Sequence, residues 1–350
     1  MALKWIEGFE LFDNVEDIFY KYPNSTLSTT DSGFITGTTA YGKALSFGGT
    51  SLSLGTLSNY ATYFIGFAFK SISLSAVSFG TLLEVRDSTT TQLSLLYNPA
   101  TQKFRVTGSG GGSWTVDQST GNAYSSTNWH YIELKVTSNN SGSVILKING
   151  TEEVNTSQNT NNSGNNRINN FTFLRTGLTN RFGIDDLYIL DDIDSGGPSN
   201  NNFLGSVKVE GLLPSMDGNS VGWNLSNRAL SRVDNVSLIT KSQFLFTNSL
   251  DNKDLFNCGK LKTTNVSPTI YGTMANLFCR NPDATNHTVA MVYRAKDVST
   301  ETDTSALTVP NTTITCLTNL YEKDPVHGAG SQWTVDNLHN KSEFGFKLKS

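Results

Sequence analysis

The chain has 350 residues, of which 16% are charged and 11% aromatic, and its formal net charge at pH 7 is -4. This length is enough for two domains of ordinary size, each with its own core. The acidic balance and the lack of a Lys/Arg cluster exclude nucleic acid as a main partner, because phosphates require a positive surface.

No run of about 18 apolar residues occurs, so we expect no membrane insertion. Residues 1–10 contain acidic residues and no apolar run of signal length, so we expect a soluble protein made in a cytoplasm. The odd number and wide spacing of the cysteines predict free thiols rather than disulfides or a zinc site; they are Cys258, Cys279 and Cys316. Ser, Thr and Asn fill most polar positions, which is typical of an all-β surface.

The first part of the chain contains a series of short predicted strands. Residues 1–22 are an aromatic-rich opening that can pack across the end of a sandwich, and residues 63–69 alternate as in a central strand. Further strands are predicted at 44–47, 51–57, 79–86, 92–97 and 104–107. Their short, regular spacing indicates an antiparallel sandwich, in which residues 108–113 form a flexible loop.

Residues 128–150 predict two successive strands and a tight turn. In the first strand Ile132, Leu134 and Val136 fall on one face, and residues 144–148 alternate in the same way. The second strand stops at Asn149-Gly150, a dipeptide that readily adopts positive φ and suits a hairpin turn. Residues 155–170 consist almost entirely of Asn, Ser, Thr and Gly, which predicts a surface loop.

A strand that carries Asp185-Asp186-Leu187-Tyr188 follows this loop. The order of features is an aromatic-led strand, a second strand ending in Asn-Gly, a polar loop and the Asp-Asp-Leu-Tyr strand. This order resembles the laminin-G and concanavalin-A-like sandwich family over about residues 1–195. The resemblance implies an N-terminal jelly roll.

The second part begins after residues 195–202, whose Gly, Pro and polar composition predicts a linker. Residues 203–214 have the pattern Phe-Leu-Gly-x-Val-x-Val-x-x-Leu-Leu-Pro and are predicted to form a strand. This string is similar to the C-terminal half of tailed-phage virion structural proteins that couple it to a laminin-G-like domain. The same resemblance extends to Ile6-Glu7-Gly8-Phe9-Glu10, Asp217-Gly218, Trp223, Val233-Asp234 and residues 321–325, 333–338 and 344–347. Glu10 is a departure, because that family more often has Asp there.

We therefore predict an all-β chain. Residues 1–194 form a laminin-G/concanavalin-A-like antiparallel β-sandwich, a jelly roll. Residues 195–202 are the linker. Residues 203–350 form a second, smaller β-rich domain for virion assembly.

Two places in the sequence are candidate ligand sites. Asp185-Asp186 supplies hard oxygen ligands, with which many laminin-G-like and lectin domains hold calcium at the edge of a sandwich. The alternative is a structural role, because adjacent strand residues point to opposite faces and only one of the pair can turn inward. Trp114 follows the glycine-rich residues 110–112 and is a candidate for stacking on a sugar ring, or for a core aromatic beside a flexible loop. Calcium is the one cofactor considered.

The sequence does not predict an enzyme. The histidines lie far apart, with no nucleophile or metal ligand at motif spacing; they are His130, His287, His327 and His339. Glycoside hydrolysis needs two carboxylates that face each other across a cleft, and nothing in the sequence indicates that Glu84 and Glu133 do so. Trp129 and Trp333 are interpreted as packing or edge residues.

The predicted function is that of a non-enzymatic phage virion structural protein, associated with the tail or its fibres, that acts by assembly and surface contact. The alternatives are a capsid decoration protein on the head and a carbohydrate-binding adhesin that recognises host surface glycans. The expected partners are other virion proteins and further copies of the chain, in a homotrimer or a larger ring. The expected location is the virion.

Overall fold

The computed structural model describes residues 2–38, 42–76, 78–110, 113–193, 202–226, 231–236, 243–262, 268–282, 286–310, 313–327 and 330–350. The side chains at 109, 110, 113–116 and 235 lie outside the described part. The described residues divide into two compact units. The sandwich unit contains residues 2–10, 14–193 and 202–209, and the C-terminal unit contains 11–13 and those described from 210 to 350.

The described part of the sandwich unit has the elements β1 (Leu3–Glu7), α1 (Val15–Lys21), β2 (Gly33–Thr36), β3 (Lys43–Phe47), β4 (Ser51–Ser53), β5 (Thr62–Ser75), β6 (Gly80–Asp87), β7 (Thr90–Asn98), β8 (Lys103–Gly110), β9 (Ser113–Ser119), β10 (His130–Thr137), β11 (Gly142–Ile148), β12 (Thr151–Gln158), β13 (Asn170–Thr176) and β14 (Thr179–Asp191). That of the C-terminal unit has β15 (Pro214–Val221), β16 (Asn224–Leu225), α2 (Arg232–Val236), β17 (Leu245–Phe246), β18 (Lys253–Cys258), β19 (Thr273–Cys279), β20 (His287–Ala295), β21 (Thr300–Asp303), β22 (Leu307–Val309), β23 (Thr315–Tyr321), α3 (Val335–Asn340) and β24 (Ser342–Leu348).

The strands of the sandwich unit form two antiparallel sheets. The larger sheet has the order β12-β11-β10-β5-β14-β3-β2, with β1 paired to β14, and the smaller has the order β4-β13-β6-β7-β8-β9. Aromatic rings join the two sheets: Phe67 of β5 contacts Phe173 of β13 at 5.0 Å between centroids, and Phe69 contacts Tyr97 of β7 at 5.1 Å. The core therefore lies between the sheets, on the Phe67 and Phe69 face of β5.

The predicted all-β class with an N-terminal antiparallel sandwich is confirmed. Ile132, Leu134 and Val136 of β10 are buried on the core side, as their alternation predicts. The turn between β11 and β12 has φ values of 52° at Asn149 and 80° at Gly150, the left-handed conformations that the dipeptide predicts.

Three local predictions are wrong. Residues 108–113 are not a loop throughout, because backbone pairing carries β8 to Gly110 and β9 begins at Ser113. The prediction of a surface loop over 155–170 is wrong in part: residues 159–169 form no named strand and 164–166 are exposed, but β12 continues to Gln158, and Thr160 and Asn161 are buried. No strand lies in residues 203–213, which have no strand partner; β15 begins at Pro214. The predicted linker lies outside the described residues except for Asn202.

The C-terminal unit is also built from β-sheets. Its main sheet has the order β15-β18-β24-β20-β21, with β22 paired to β20, and two smaller sheets are β16-β17 and β19-β23. Tyr293, Tyr321, Trp333 and Leu338 form one of its core clusters. Trp333 Nε1 donates a hydrogen bond to the Tyr321 carbonyl at 3.0 Å, so its interpretation as a packing residue is confirmed.

Two further features concern the chain as a whole. Within the described residues, Cys258, Cys279 and Cys316 form no disulfide bond. Among the helices of the described ranges, none has the length and apolar character to cross a membrane.

Gly66 gives a test of the packing on the outer face of the larger sheet, which is the face turned away from the smaller sheet. Gly66 lies between Glu133 of β10 and Tyr188 of β14, and a Cβ at this position would overlap the Tyr188 ring. We expect Gly66→Ala to lower the free energy of unfolding by about 1–3 kcal/mol in chemical denaturation, because the ring must move. Gly33→Ala is the control, since a Cβ on Gly33 of β2 meets no atom within 4 Å. Equal stability of the two variants would contradict this packing.

Candidate functional site

The acidic pair Asp185-Asp186 lies at a β-bulge in β14. Asp185 pairs with Ala68 of β5 and Tyr188 pairs with Gly66, so β14 has an extra residue at this point. Asp186 has φ 50°, a left-handed conformation that Asp tolerates. The bulge interrupts the alternation of faces, and the two aspartates are only 1% and 2% exposed. The prediction that only one of the pair turns inward is therefore wrong.

Both carboxylates accept hydrogen bonds from outside β14. Asp185 Oδ2 accepts from the Thr38 N–H at 2.8 Å, and its Oδ1 accepts from the Asp186 N–H at 2.8 Å. Asp186 accepts from the Val209 N–H at 2.8 Å, from Lys208 Nζ at 3.0 Å and from the Thr38 hydroxyl. Buried carboxylates require such partners, because burial removes their hydration.

Residues 202–209, which we call the strap, lie on the outer face of the larger sheet. The Phe203 ring contacts Phe64 of β5 edge-on at 5.2 Å between centroids. The Gly205 N–H donates to Glu133 Oε1 at 2.8 Å. Together with the bonds to Asp186, these contacts attach the strap to three adjacent strands, β10, β5 and β14.

Tyr188 completes the attachment of the strap. Its hydroxyl donates to Glu133 Oε1 at 2.6 Å and accepts from the Leu204 N–H at 3.2 Å. The ring lies across Gly66, whose missing side chain leaves the space for it. Glu133 is thus engaged as an acceptor by the protein itself.

A third acid, Glu10, lies close enough to the pair for the charges of Asp185 and Asp186 to affect its own protonation. Burial, and then repulsion from Asp185, raise the pKa of Glu10 to about 9. Burial, and then the charge of Asp186, raise the pKa of Asp185 to about 7, against the opposing effect of its two N–H donors. The cluster therefore retains protons that exposed carboxyl groups lose.

A cavity of about 440 Å³ opens beside the strap on the same face. It is lined among others by Thr38, Trp129, Tyr131, Asn149, Ser206 and Lys208. This combination of two aromatic rings with a few fixed polar groups is typical of sites for small ligands. The cavity was not predicted from the sequence, because Trp129 was interpreted as a packing or edge residue and Ser206 and Lys208 were predicted to lie in a separate domain.

The predicted site residues have different outcomes. Trp114 lies in β9, paired with Ser109, but its side chain lies outside the described part, so its sugar-stacking role stays a prediction. Glu84 and Glu133 are not a facing pair, because each lies between two core residues of its strand and so points to the outer face of its own sheet, on opposite sides of the sandwich. Glu84 accepts instead from Arg86 at 2.7 Å on its own strand.

Calcium binding at Asp185 and Asp186 also stays a prediction. Within the described ranges, no group of three or more His, Cys, Asp or Glu side chains is arranged to hold a metal ion. Calcium at the pair would have to displace Lys208 Nζ from Asp186 and free oxygens that now accept N–H bonds. Titration calorimetry at millimolar calcium tests the prediction, which requires measurable heat and a rise in melting temperature.

In the C-terminal unit the structure brings together polar residues that are distant in sequence. His327 Nε2 lies 2.7 Å from Asp297, and its Nδ1 lies 3.0 Å from Asp324. Tyr293 donates its hydroxyl proton toward this group, 3.1 Å from Asp324 Oδ1. Both nitrogens of His327 are engaged by carboxylates, and Asp324 is fully buried. The cluster therefore links Asp324 and His327, which follow β23, to Tyr293 of β20 and to Asp297.

Comparisons with known proteins give structural likeness alone. No protein-family model and no curated protein matches the chain. An alginate lyase from Aplysia kurodai is 10% identical, over 55% of this chain and 100% of that chain, with a TM-score of 0.39. The globular domain of T. cruzi calreticulin is 12% identical, over 56% and 90%, with a TM-score of 0.38. A mutant of alginate lyase Aly36B in complex with alginate tetrasaccharide is 14% identical, over 54% and 93%, with a TM-score of 0.36.

These likenesses are too weak to carry a conclusion about what this chain binds or does. Two of the three proteins are lyases by name. The expectation that this chain is not an enzyme therefore gains nothing from them and stays a prediction.

Glu10 gives a test of the electrostatics of the cluster. Its pKa of about 9 in the folded protein lies above its ordinary value of 4.5, so the folded state holds more protons between these values. The contribution of Glu10 to stability is therefore present at low pH and is lost as the pH rises through that window. We expect Glu10→Gln to match the parent protein near pH 4 and to exceed it by at least about 1 kcal/mol near pH 9.

Thermal or chemical denaturation across this pH range measures the difference between the variant and the parent protein. Glu16→Gln is the control, because Glu16 is exposed at the start of α1. If the advantage of Glu10→Gln does not grow with pH, or if Glu16→Gln shows the same growth, the electrostatic account of Glu10 is wrong.

Proposed function

We propose that this chain is a non-enzymatic virion structural protein of a tailed phage that acts by assembly and surface contact. The observation that carries the proposal is the strap. The motifs that resemble such virion proteins include residues 203–209 and Ile6–Glu10, and these residues form the strap and its surroundings. Gly8, for example, allows close approach, since a Cβ there would lie 2.6 Å from the Val209 carbonyl oxygen.

The hydrogen bonding of Glu133 and Asp186 supports a role for these two acids without turnover. A general base must reach a proton of its substrate, and a general acid must have a proton to donate to it. Glu133 accepts from Tyr188 and Gly205, and Asp186 accepts from Val209 and Lys208. These acids act as attachment points for the chain's own backbone, which suits a rigid surface.

Location on the particle remains part of the proposal. We favour the tail or its fibres, with other virion proteins and further copies of the chain as partners. A capsid decoration protein and a glycan-binding adhesin are the alternatives, and the adhesin is favoured by one specific observation, the cavity lined by Trp129 and Tyr131.

Immunogold labelling of intact particles with an antibody to this chain tests the proposal. We expect label on the tail or its fibres and, for the purified chain, a mass of at least three 38.1 kDa subunits by mass photometry. Label spread over the head would replace the tail assignment with decoration. A virion role would be contradicted if intact particles carry no label and the chain is also absent from detergent-disrupted particles.

A further inference from the structure

The outer face of the larger sheet is covered by the strap at one end and carries the cavity at the other. At the cavity end, Trp129 directly precedes His130, which pairs with Phe69, and the next residue of β5, Lys70, pairs with Gly183 of β14. Trp129, immediately before β10, therefore lies in one row with Lys70 of β5 and Gly183 of β14. A Cβ on Gly183 would lie 2.7 Å from the Trp129 ring, so the glycine allows the indole to extend over β14.

The polar groups around the cavity are held in place by the protein. Asn149 accepts from the Tyr131 N–H at 2.9 Å and lies 3.1 Å from His130 Nδ1 through its amide nitrogen. His130 Nε2 lies 2.8 Å from the Ser125 carbonyl oxygen, so both ring nitrogens have partners. A lining that is fixed before a ligand arrives loses little conformational entropy on binding.

Two lysines lie at this end of the face, and they differ in whether a carboxylate compensates their charge. Lys208 is paired with Asp186 at 3.0 Å, so these two charges compensate each other. Lys70 Nζ lies 6.0 Å from the centroid of the Trp129 ring and has no carboxylate partner within the described part of the chain. Lys70 thus supplies an uncompensated cation beside an aromatic ring.

We propose that this end of the face binds a carboxylated pyranose oligosaccharide, with a sugar ring against Trp129, which lines the cavity, and a carboxylate at Lys70, which lies beside that ring and outside the lining. The apolar side of a pyranose ring can pack on the indole of Trp129. The carboxylate of the sugar is attracted to the ammonium group of Lys70, which lies beside that indole. The volume of about 440 Å³ is within the roughly 300–1,000 Å³ of small-ligand sites. This inference deepens the surface-contact role and rests on it, because it names what the surface contacts.

Isothermal titration of the purified full chain with a galacturonate tetrasaccharide, and with a neutral galactose tetrasaccharide for comparison, tests the proposal. We expect the acidic sugar to bind at least tenfold more tightly than the neutral one, and the difference to shrink as salt is raised. Lys70→Gln should lower the affinity for the acidic sugar to about that for the neutral one. Trp129→Ala should weaken the binding of both sugars.

Lys135→Gln is the matched control, because Lys135 lies on β10 at the other end of the face, with its Nζ 5.2 Å from the centroid of the Phe64 ring. It should bind both sugars as the parent protein does. Circular dichroism and the melting temperature establish that each variant folds, and Trp129→Phe replaces Trp129→Ala if the alanine variant does not.

Absence of heat with the acidic tetrasaccharide at millimolar concentration would overturn the proposal. So would unchanged binding in Lys70→Gln, or an equal loss in Lys135→Gln. Sugar binding and particle location are measured on separate samples, so either result can fail alone. Binding accompanied by shortened or unsaturated products would retain the site and contradict the non-enzymatic role.

Discussion

The burial of two adjacent carboxylates in β14 is the constraint on which the sandwich unit depends. A regular strand would send Asp185 and Asp186 to opposite faces, but the bulge buries both. Each must then receive hydrogen bonds from elsewhere in the chain, since burial without partners is costly. Thr38 supplies donors to both, and Lys208 and Val209 supply them to Asp186. The strap is therefore part of the fold of the sandwich unit.

This constraint also explains why the outer face has two different ends. At the end near Glu133 and Tyr188, the strap satisfies the polar groups and covers the sheet. At the end near Trp129, the strap approaches the acidic pair. A cavity remains there between the strap residues Ser206 and Lys208 and the turn at Asn149. A closed end gives a rigid surface, and an open end with an aromatic ring gives a place for a ligand. Both features suit a protein that acts through its surface.

Regular strands could be predicted from the sequence because they follow simple alternation. Ile132, Leu134 and Val136 are buried as predicted, and the turn at Asn149 follows from local φ preferences. The bulge could not be predicted, because the alternation rule assumes that no extra residue interrupts the strand. Residues 203–209 alternate like a strand, yet they lie on a sheet face without a strand partner. An alternating pattern indicates that one side of a segment is buried. It does not distinguish a strand paired within a sheet from a segment that packs on the face of a sheet.

The contact between Trp129 and Gly183 could not be predicted from the sequence either, since it joins residues far apart in the chain that neither motif nor spacing connects.

Hydrogen–deuterium exchange of the Gly205 and Val209 amides tests most directly whether the strap is attached to the outer face of the larger sheet. We predict that both amides exchange far more slowly than unstructured backbone, because each donates to a carboxylate on the sheet, and that Glu133→Gln and Asp186→Asn each speed exchange most at their own partner. Exchange of both amides at the rate of an unstructured chain would contradict the account.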